Sequence, residues 1–369
     1  WEFKLPDDLK GIIESESDWD KPEGKAFLEA FDKAFVFDKK INPNSADRVF
    51  RYIRNKQVGE PKLESVSPKN TLKEQTRTGL LNGFSFYETL QEPDGNWAGD
   101  YGGPLFLIPG LVIASHITET PFEKPMQVLM KRNLWNHQNE DGGWGLHIEG
   151  HSTMFGTVMQ YVTLRILGET LSNPNLKRAQ DWILKNGGAI KIPQWGKFYL
   201  SVLNVYDWKG NDALLPEMWK FPKWMPFHPG KYWCHNRMIF LPMSYCFGKK
   251  VTAELTPLIE ELRKEIYTTD YDSINWKKAR REACEIDIFH PVNKWYYRLS
   301  NFTNWYERVY STRFRRKALK YVEDYIDHED IHTRYINIGP VNQAINSCFS
   351  RKINYFFCFV FLGVNTYFV

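Results

Sequence analysis

His137–Trp144 reads HQNEDGGW, and Leu90–Trp97 reads LQEPDGNW. Both set a Gln, three residues, a Gly, one residue and a Trp in the same order. A third stretch, WILKNGGAIKIPQW at 182–195, keeps the glycines and the Trp but lacks the Gln at that spacing. The tryptophans at 97, 144 and 195 recur with a period of about 50 residues, which fits a stack or ring of helical hairpins. The mechanics follow from the residue types. Glycines turn the chain tightly after one helix, a Gln amide bonds orphan backbone groups at a helix end, and an indole stacks on the amide. Gln91, Gly95 and Trp97, with Gln138, Gly143 and Trp144, are the positions expected to build this repeat.

Helical periodicity runs through the flanking segments. STMFGTVMQYVTLRILG places Phe155, Val158, Met159, Val162 and Ile166 at helical spacing, with Ser152 or Thr153 as N-cap and Gly168 at the C-terminal end. TPLIEELRKEI offers Thr256 as N-cap, Pro257 in the first turn, and Leu258, Leu262 and Ile266 on one face. Strand-like alternation is scarce, so the expected class is all-α. The chain divides by texture into a polar, charged segment with a linker at residues 1–75, the repeat region at 76–300, a further helical region at 301–346, and an unrelated tail at 347–369.

The chain has 369 residues, 43% hydrophobic and 25% charged, which implies a packed core. A net charge of +4 gives no sign of a nucleic-acid groove. The dense basic run RFRRKALK, 313–320, reads as the solvated face of a helix whose apolar side carries Phe314, Ala318, Tyr321, Val322 and Tyr325. The acidic run EDYIDHED, 323–330, reads the same way. Aromatic content is high, at 16% with 14 Trp. Such rings supply apolar area and an electron-rich face for cations, which suits either a bulky core or a cavity for something apolar or cationic. Five scattered cysteines with no CxxC pair suggest neither a disulfide framework nor a zinc knuckle. WEFKLPDD is not a signal peptide, and the chain begins without Met. The tail CFSRKINYFFCFVFLGVNTYFV is too short and too interrupted to read as a membrane span.

His147 and His151, four apart with Glu149 between them, invite a zinc reading. Zinc proteases place Glu directly after the first His on a regular helix. Here Ile148 holds that place and glycines surround the pair, so a loop leading into a helix is expected and no metal. No G-x-S-x-G elbow occurs, and PEGK (22–25) lacks the spacing of a phosphate loop.

Several long stretches carry a resemblance: GDYGGPLFLIPGLVI (99–113), HQNEDGGWGLHIEGHSTMFGT (137–157), IPQWGKFYLSVLNVYDW (192–208), WCHNRMIFLPMSY (233–245) and YINIGPVNQAIN (335–346). Over about residues 75–346 the chain resembles the oxidosqualene cyclases of the terpene cyclase/mutase family, and the Gln-to-Trp units resemble that family's repeated QW motifs. The resemblance implies two α/α barrels, one inserted in the other's sequence. Residues 76–300 then belong to the inserted barrel and 301–346 begin the catalytic one. It implies cyclisation of 2,3-oxidosqualene without metal or organic cofactor. It also implies monotopic attachment to the cytosolic face of the endoplasmic reticulum or a lipid droplet. In the family an Asp of a D-C-T-A-E motif protonates the epoxide and aromatic rings stabilise the travelling carbocation.

GDYGGP is similar to the sterol-forming branch, which implies that Tyr101 shapes the folded substrate. WCHNR is similar to the W-C-H-C-R of lanosterol- and cycloartenol-forming members, and the 196–219 stretch resembles the lanosterol-forming ones. The resemblance thus assigns Tyr101, Trp195, Trp233, His235 and Ile239 to the substrate cavity. Asn236 and Phe240 border the entry channel, where the family has Cys and Tyr. D-C-T-A-E is absent from this sequence, and the resemblance stops near Asn346, as in a truncated product or a mispredicted gene end. The chain alone is therefore expected to be inactive. Two other readings stand beside this one. WKFPKWMPFHPGKYW (219–233) has a composition suited to a membrane interface, which fits a non-catalytic lipid-binding fragment. A protein prenyltransferase subunit would need Asp, Cys and His around zinc, and no such spacing is evident.

Overall fold

The computed structural model describes residues 63–89, 91, 103–290 and 292–350. The chain divides into two units, residues 1–103 with 362–369, and residues 104–361. In the first, α1 spans Leu72–Thr89. A capping box starts it: Glu74 accepts from the Thr71 amide at 2.8 Å and hydroxyl at 2.9 Å, and its own amide reaches Thr71 Oγ1 at 3.4 Å. The Thr71 amide and hydroxyl hold the Glu74 carboxyl below its ordinary range.

The second unit is built from α2 (Leu107–Ile117), α3 (Lys124–Asn136), α4 (Met154–Ile166), α5 (Pro174–Lys185), α6 (Gln194–Val202), α7 (Cys234–Lys249), α8 (Pro257–Glu265), the single turn α9 (Trp276–Ala279), α10 (Lys294–Val309), α11 (Thr312–His332) and α12 (Pro340–Ser350). Among the described residues there is no β-strand; an isolated bridge joins Pro104 to His147. The all-α class expected from the sequence is what the described residues adopt.

Helix α4 is the centre of the core. Residues Met154 to Arg165 are all buried, against α2, α5 and α8. It is not amphipathic, which accounts for polar Thr157, Gln160 and Thr163 lying inside it. Each finds a partner: Gln160 donates to the Leu105 carbonyl at 2.6 Å and Thr163 to the Met159 carbonyl at 2.8 Å. Thr153 is its N-cap, accepting from the Gly156 amide, and Gly168 follows the C-terminus at φ 89°. Thr256 caps α8 as expected, with Leu262 and Ile266 buried and Ile259 joining them.

Two charge networks lock helices together. Arg165 of α4 bonds Glu265 of α8 through Nε at 3.0 Å and also meets Glu261, while Tyr161 donates to Glu265 at 2.7 Å. Arg315 of α11 meets Glu217 at 2.5 Å and Glu307 at 2.6 Å. The expected solvated basic face on α11 holds for Arg313, Arg316, Lys317 and Lys320, which are exposed. It fails for Arg315, which turns inward because Glu217 is fully buried beneath it and needs a counter-charge. Helix α12 packs on α2 and α7, and α11 on α7 and the 3₁₀ turn at Pro216–Lys220.

Candidate functional site

The 137–153 loop shows what the repeat builds. Gly142 sits at φ 92°, and a β-carbon on Gly143 would come within 2.7 Å of Ser152 and Thr157. One glycine makes the turn and the next makes room. Gln138 donates to the Gly142 carbonyl at 2.8 Å and to the Asn175 carbonyl at 3.0 Å, bracing the loop on the first turn of α5. Trp144 is fully buried, and its indole N–H donates to the Leu134 carbonyl at 2.7 Å. It is therefore the indole, not the Gln amide, that reaches a carbonyl at the end of α3, one that also accepts from the His137 amide at 3.2 Å. Its ring lies against Trp135, with centroids 5.8 Å apart.

Asp141 gathers the loop. Its carboxylate accepts from Ser152 at 2.6 Å, from the Gly143 amide at 3.1 Å and from the Trp182 indole at 2.9 Å. Burial pushes this carboxyl up, but the three donors outweigh it and hold it below the usual range. His147 and His151 point outward and are exposed; His151 lies beside Phe289 at 6.1 Å. Among the described residues no group of three or more His, Cys, Asp or Glu is placed to hold a metal.

The third stretch differs in geometry. Gly187 and Gly188 have φ of 100° and 79°, yet Trp195 stands in the first turn of α6, and its side chain is more than a third exposed. The Trp195 side chain makes no ring contact or hydrogen bond among the described residues.

The resemblance-assigned residues gather at the start of α7. Trp233 precedes the helix and is 71% exposed, with its ring 4.6 Å from that of His235. His235 is itself exposed, 3.3 Å from Cys234 Sγ. Asn236 is exposed and Ile239 half-buried. Phe240 faces a different set of rings, tilted over Trp219 at 6.1 Å and edge-on to Tyr232 at 5.9 Å. Trp219, Leu241, Tyr245, Leu319, Val322 and Ile326 form the core beneath it. The structure thus brings Trp233 and His235 together and ties Phe240 to Trp219, while no ring contact joins Trp195 to either pair. Tyr101, Gly95 and Trp97 lie outside the described residues; the Gln91 amide donates to the Glu88 carbonyl at 3.3 Å.

Three residues near these positions escaped the sequence reading. Lys197, on α6 with Trp195, is 1% exposed and donates to the carbonyls of Ala279, Arg280 and Glu282 at 2.9, 3.2 and 2.7 Å. Burial pushes its ammonium down to about 8, against the pull of Asp212 and Glu282. Asp287 caps α4 from outside, accepting from the Met154 and Phe155 amides at 2.7 and 2.9 Å. Trp219 forms the floor under Phe240. Lys197 and Asp287 act over more than 80 residues of sequence, and no local pattern signals such a contact.

The family model of the squalene-hopene cyclase N-terminal domain matches residues 85–347. The chain belongs to this family of polycyclising enzymes. It is 47% identical to lanosterol synthase of Mus musculus over 268 residues, covering 73% of this chain and 37% of that enzyme. It is 46% identical to cycloartenol synthase of Dictyostelium discoideum over 268 residues, covering 72% of this chain and 38% of that one. It is 39% identical to alpha-onocerin synthase of Lycopodium clavatum over 340 residues, 88% of this chain and 44% of that one. The relatives are oxidosqualene cyclases, isomerases of the terpene cyclase family. The chain spans less than half the length of these curated relatives.

Proposed function

We propose that this chain is the N-terminal part of an oxidosqualene cyclase that converts (S)-2,3-oxidosqualene to a tetracyclic sterol precursor. The observation that carries the reading is the 47% identity to a lanosterol synthase across nearly three quarters of the chain. Lanosterol-type cyclisation is the first reading and cycloartenol-type the alternative, since relatives with both names match at similar identity. Residues 76–300 are proposed as the inserted α/α barrel and 301–346 as the start of the catalytic one.

In this account the chain supplies one wall of the cavity. Trp233 and Trp195 present ring faces for a carbocation, an attraction of roughly 0.5–2 kcal/mol per ring. Their exposure among the described residues supports a role at a surface rather than in this unit's own core. Tyr101, His235 and Ile239 shape the substrate, and Asn236 and Phe240 border its entry. No metal or organic cofactor is assigned to the reaction. The general acid is assigned to a D-C-T-A-E motif that this sequence does not contain.

Attachment to the cytosolic face of the endoplasmic reticulum or a lipid droplet is proposed with it. Trp224 is 75% exposed and Phe227 is exposed beside it, in a segment rich in Lys and Pro. Among the described residues no helix is long and apolar enough to cross a membrane.

The test is a chimera. Residues 85–347 replace the matched part of the mouse lanosterol synthase, and the product from oxidosqualene is identified by mass spectrometry. A tetracyclic sterol is expected. A folded chimera that returns only unreacted epoxide sinks the reading.

A further inference from the structure

A cavity of about 540 Å³ lies between the 204–211 segment, the end of α7, α8, and α9 with α10. None of Trp195, Trp233, His235 and Phe240 lines it. Tyr206, Trp208 and Phe247 are buried and form an aromatic floor. Six cations line it, Lys209, Lys250, Arg263, Lys277, Arg280 and Arg308, against two acids, Asp207 and Glu307.

The acids are already engaged. Glu307 sits 3.1 Å from Lys250 and 2.6 Å from Arg315. Asp207 accepts from the Lys209 amide at 2.7 Å, with the Lys209 ammonium 3.9 Å away. That leaves Arg263, Lys277, Arg280 and Arg308, and none of these four makes an ion pair among the described residues. Arg263 donates to the Asn204 carbonyl at 2.7 Å and stacks over Tyr271 at 4.0 Å. Arg280 donates to the Lys209 carbonyl at 2.7 Å, and its Nε is buried with no hydrogen-bond partner. Outside the lining, Asp212, whose charge acts on Arg280, is held by Ser300 at 2.5 Å, Asn304 at 2.9 Å, Tyr296 at 3.1 Å and Arg281 at 3.6 Å.

Elsewhere in this unit buried guanidiniums carry carboxylates: Arg165 has Glu261 and Glu265, and Arg315 has Glu217 and Glu307. A part-buried guanidinium facing a cavity without one is costly, and the planar fork matches phosphate or carboxylate oxygens. We infer that this cavity binds a small polyanion, phosphate- or carboxylate-bearing, with its charge on Arg263, Lys277, Arg280 and Arg308 and any apolar body on the aromatic floor. The site is independent of the cyclase reading, which it neither uses nor supports.

Isothermal titration of the full chain with inorganic pyrophosphate and with citrate, at constant ionic strength, tests it. Saturable binding of at least one probe is expected, and the preferred probe tells phosphate from carboxylate chemistry. Joint Lys277→Gln and Arg308→Gln substitution, at two exposed positions, should weaken binding roughly tenfold or more, since charge-assisted bonds are the strong ones. Arg280→Met should abolish it, and Lys185→Gln, on α5, should leave it unchanged. The proposal is overturned by no heat beyond that of matched potassium chloride, or by wild-type affinity in the exposed double variant. That double variant decides the matter alone if Arg280→Met does not fold.

Discussion

At the scale of single residues, Trp144 joins the repeat's sequence to its structure. Its ring fills a fully buried site and its N–H satisfies the Leu134 carbonyl. Trp144→Phe keeps most of the ring and removes one of the two donors to that carbonyl, which retains the His137 amide at 3.2 Å, so the lost hydrogen bond should cost about 0.5–1.5 kcal/mol, read as a lower urea midpoint at unchanged slope. An unchanged midpoint contradicts the role given to the indole. The sequence reads the glycines as a tight turn after a helix, and Gly142 turns the chain there at φ 92°. The partner assignment was not legible, because the indole reaches ten residues back to a carbonyl that only the folded turn presents. Likewise, the pattern places Gly142 and Gly143 side by side without telling which turns the chain and which admits Ser152 and Thr157.

At the scale of elements, what is local was legible. Thr256 caps α8 as its position announced, and of the two candidates Ser152 and Thr153 it is Thr153 that caps α4, since a cap is decided within four residues. What depends on a distant partner was not: Arg315 reads as surface charge until Glu217, nearly a hundred residues earlier, is beneath it. The joint between α11 and α12 carries a pH-dependent contact of the same kind. Glu329 of α11 is half-buried and accepts from Asn342 of α12 at 3.2 Å. Burial, with Asp330 beside it, pushes its carboxyl from 4.5 up to about 7, against the Asn342 hydrogen bond. A raised carboxyl favours the protonated folded state. Its stabilising effect is complete below about pH 4.5, falls as the pH rises, and is gone above about 7. Glu329→Gln should flatten that part of the stability profile and raise the melting temperature at about pH 8 relative to wild type. A profile with the same slope in both proteins would rule Glu329 out as the titrating group.

At the scale of the whole molecule, family membership rests on stretches spread from 99 to 346, and these were the most legible feature of all. The arrangement of Trp195 relative to Trp233 was not legible, because it depends on packing that no motif encodes. The chain alone is expected to give no cyclised product from 2,3-oxidosqualene, and any such product in a mass-spectrometric assay of purified protein refutes the assignment of the acid. Trp224→Ser with Phe227→Ser should reduce liposome flotation severalfold, because two exposed aromatic anchors are lost; unchanged flotation removes this segment from the membrane role. The central claim is that this chain contributes carbocation-facing aromatic wall to a sterol-type cyclase. The most direct measurement is turnover and product of the 85–347 chimera carrying Trp233→Leu. A roughly two- to thirtyfold loss of turnover or release of partly cyclised products is expected, from the loss of one cation–π contact of about 0.5–2 kcal/mol. The same rate and the same single product as the unsubstituted chimera would contradict it.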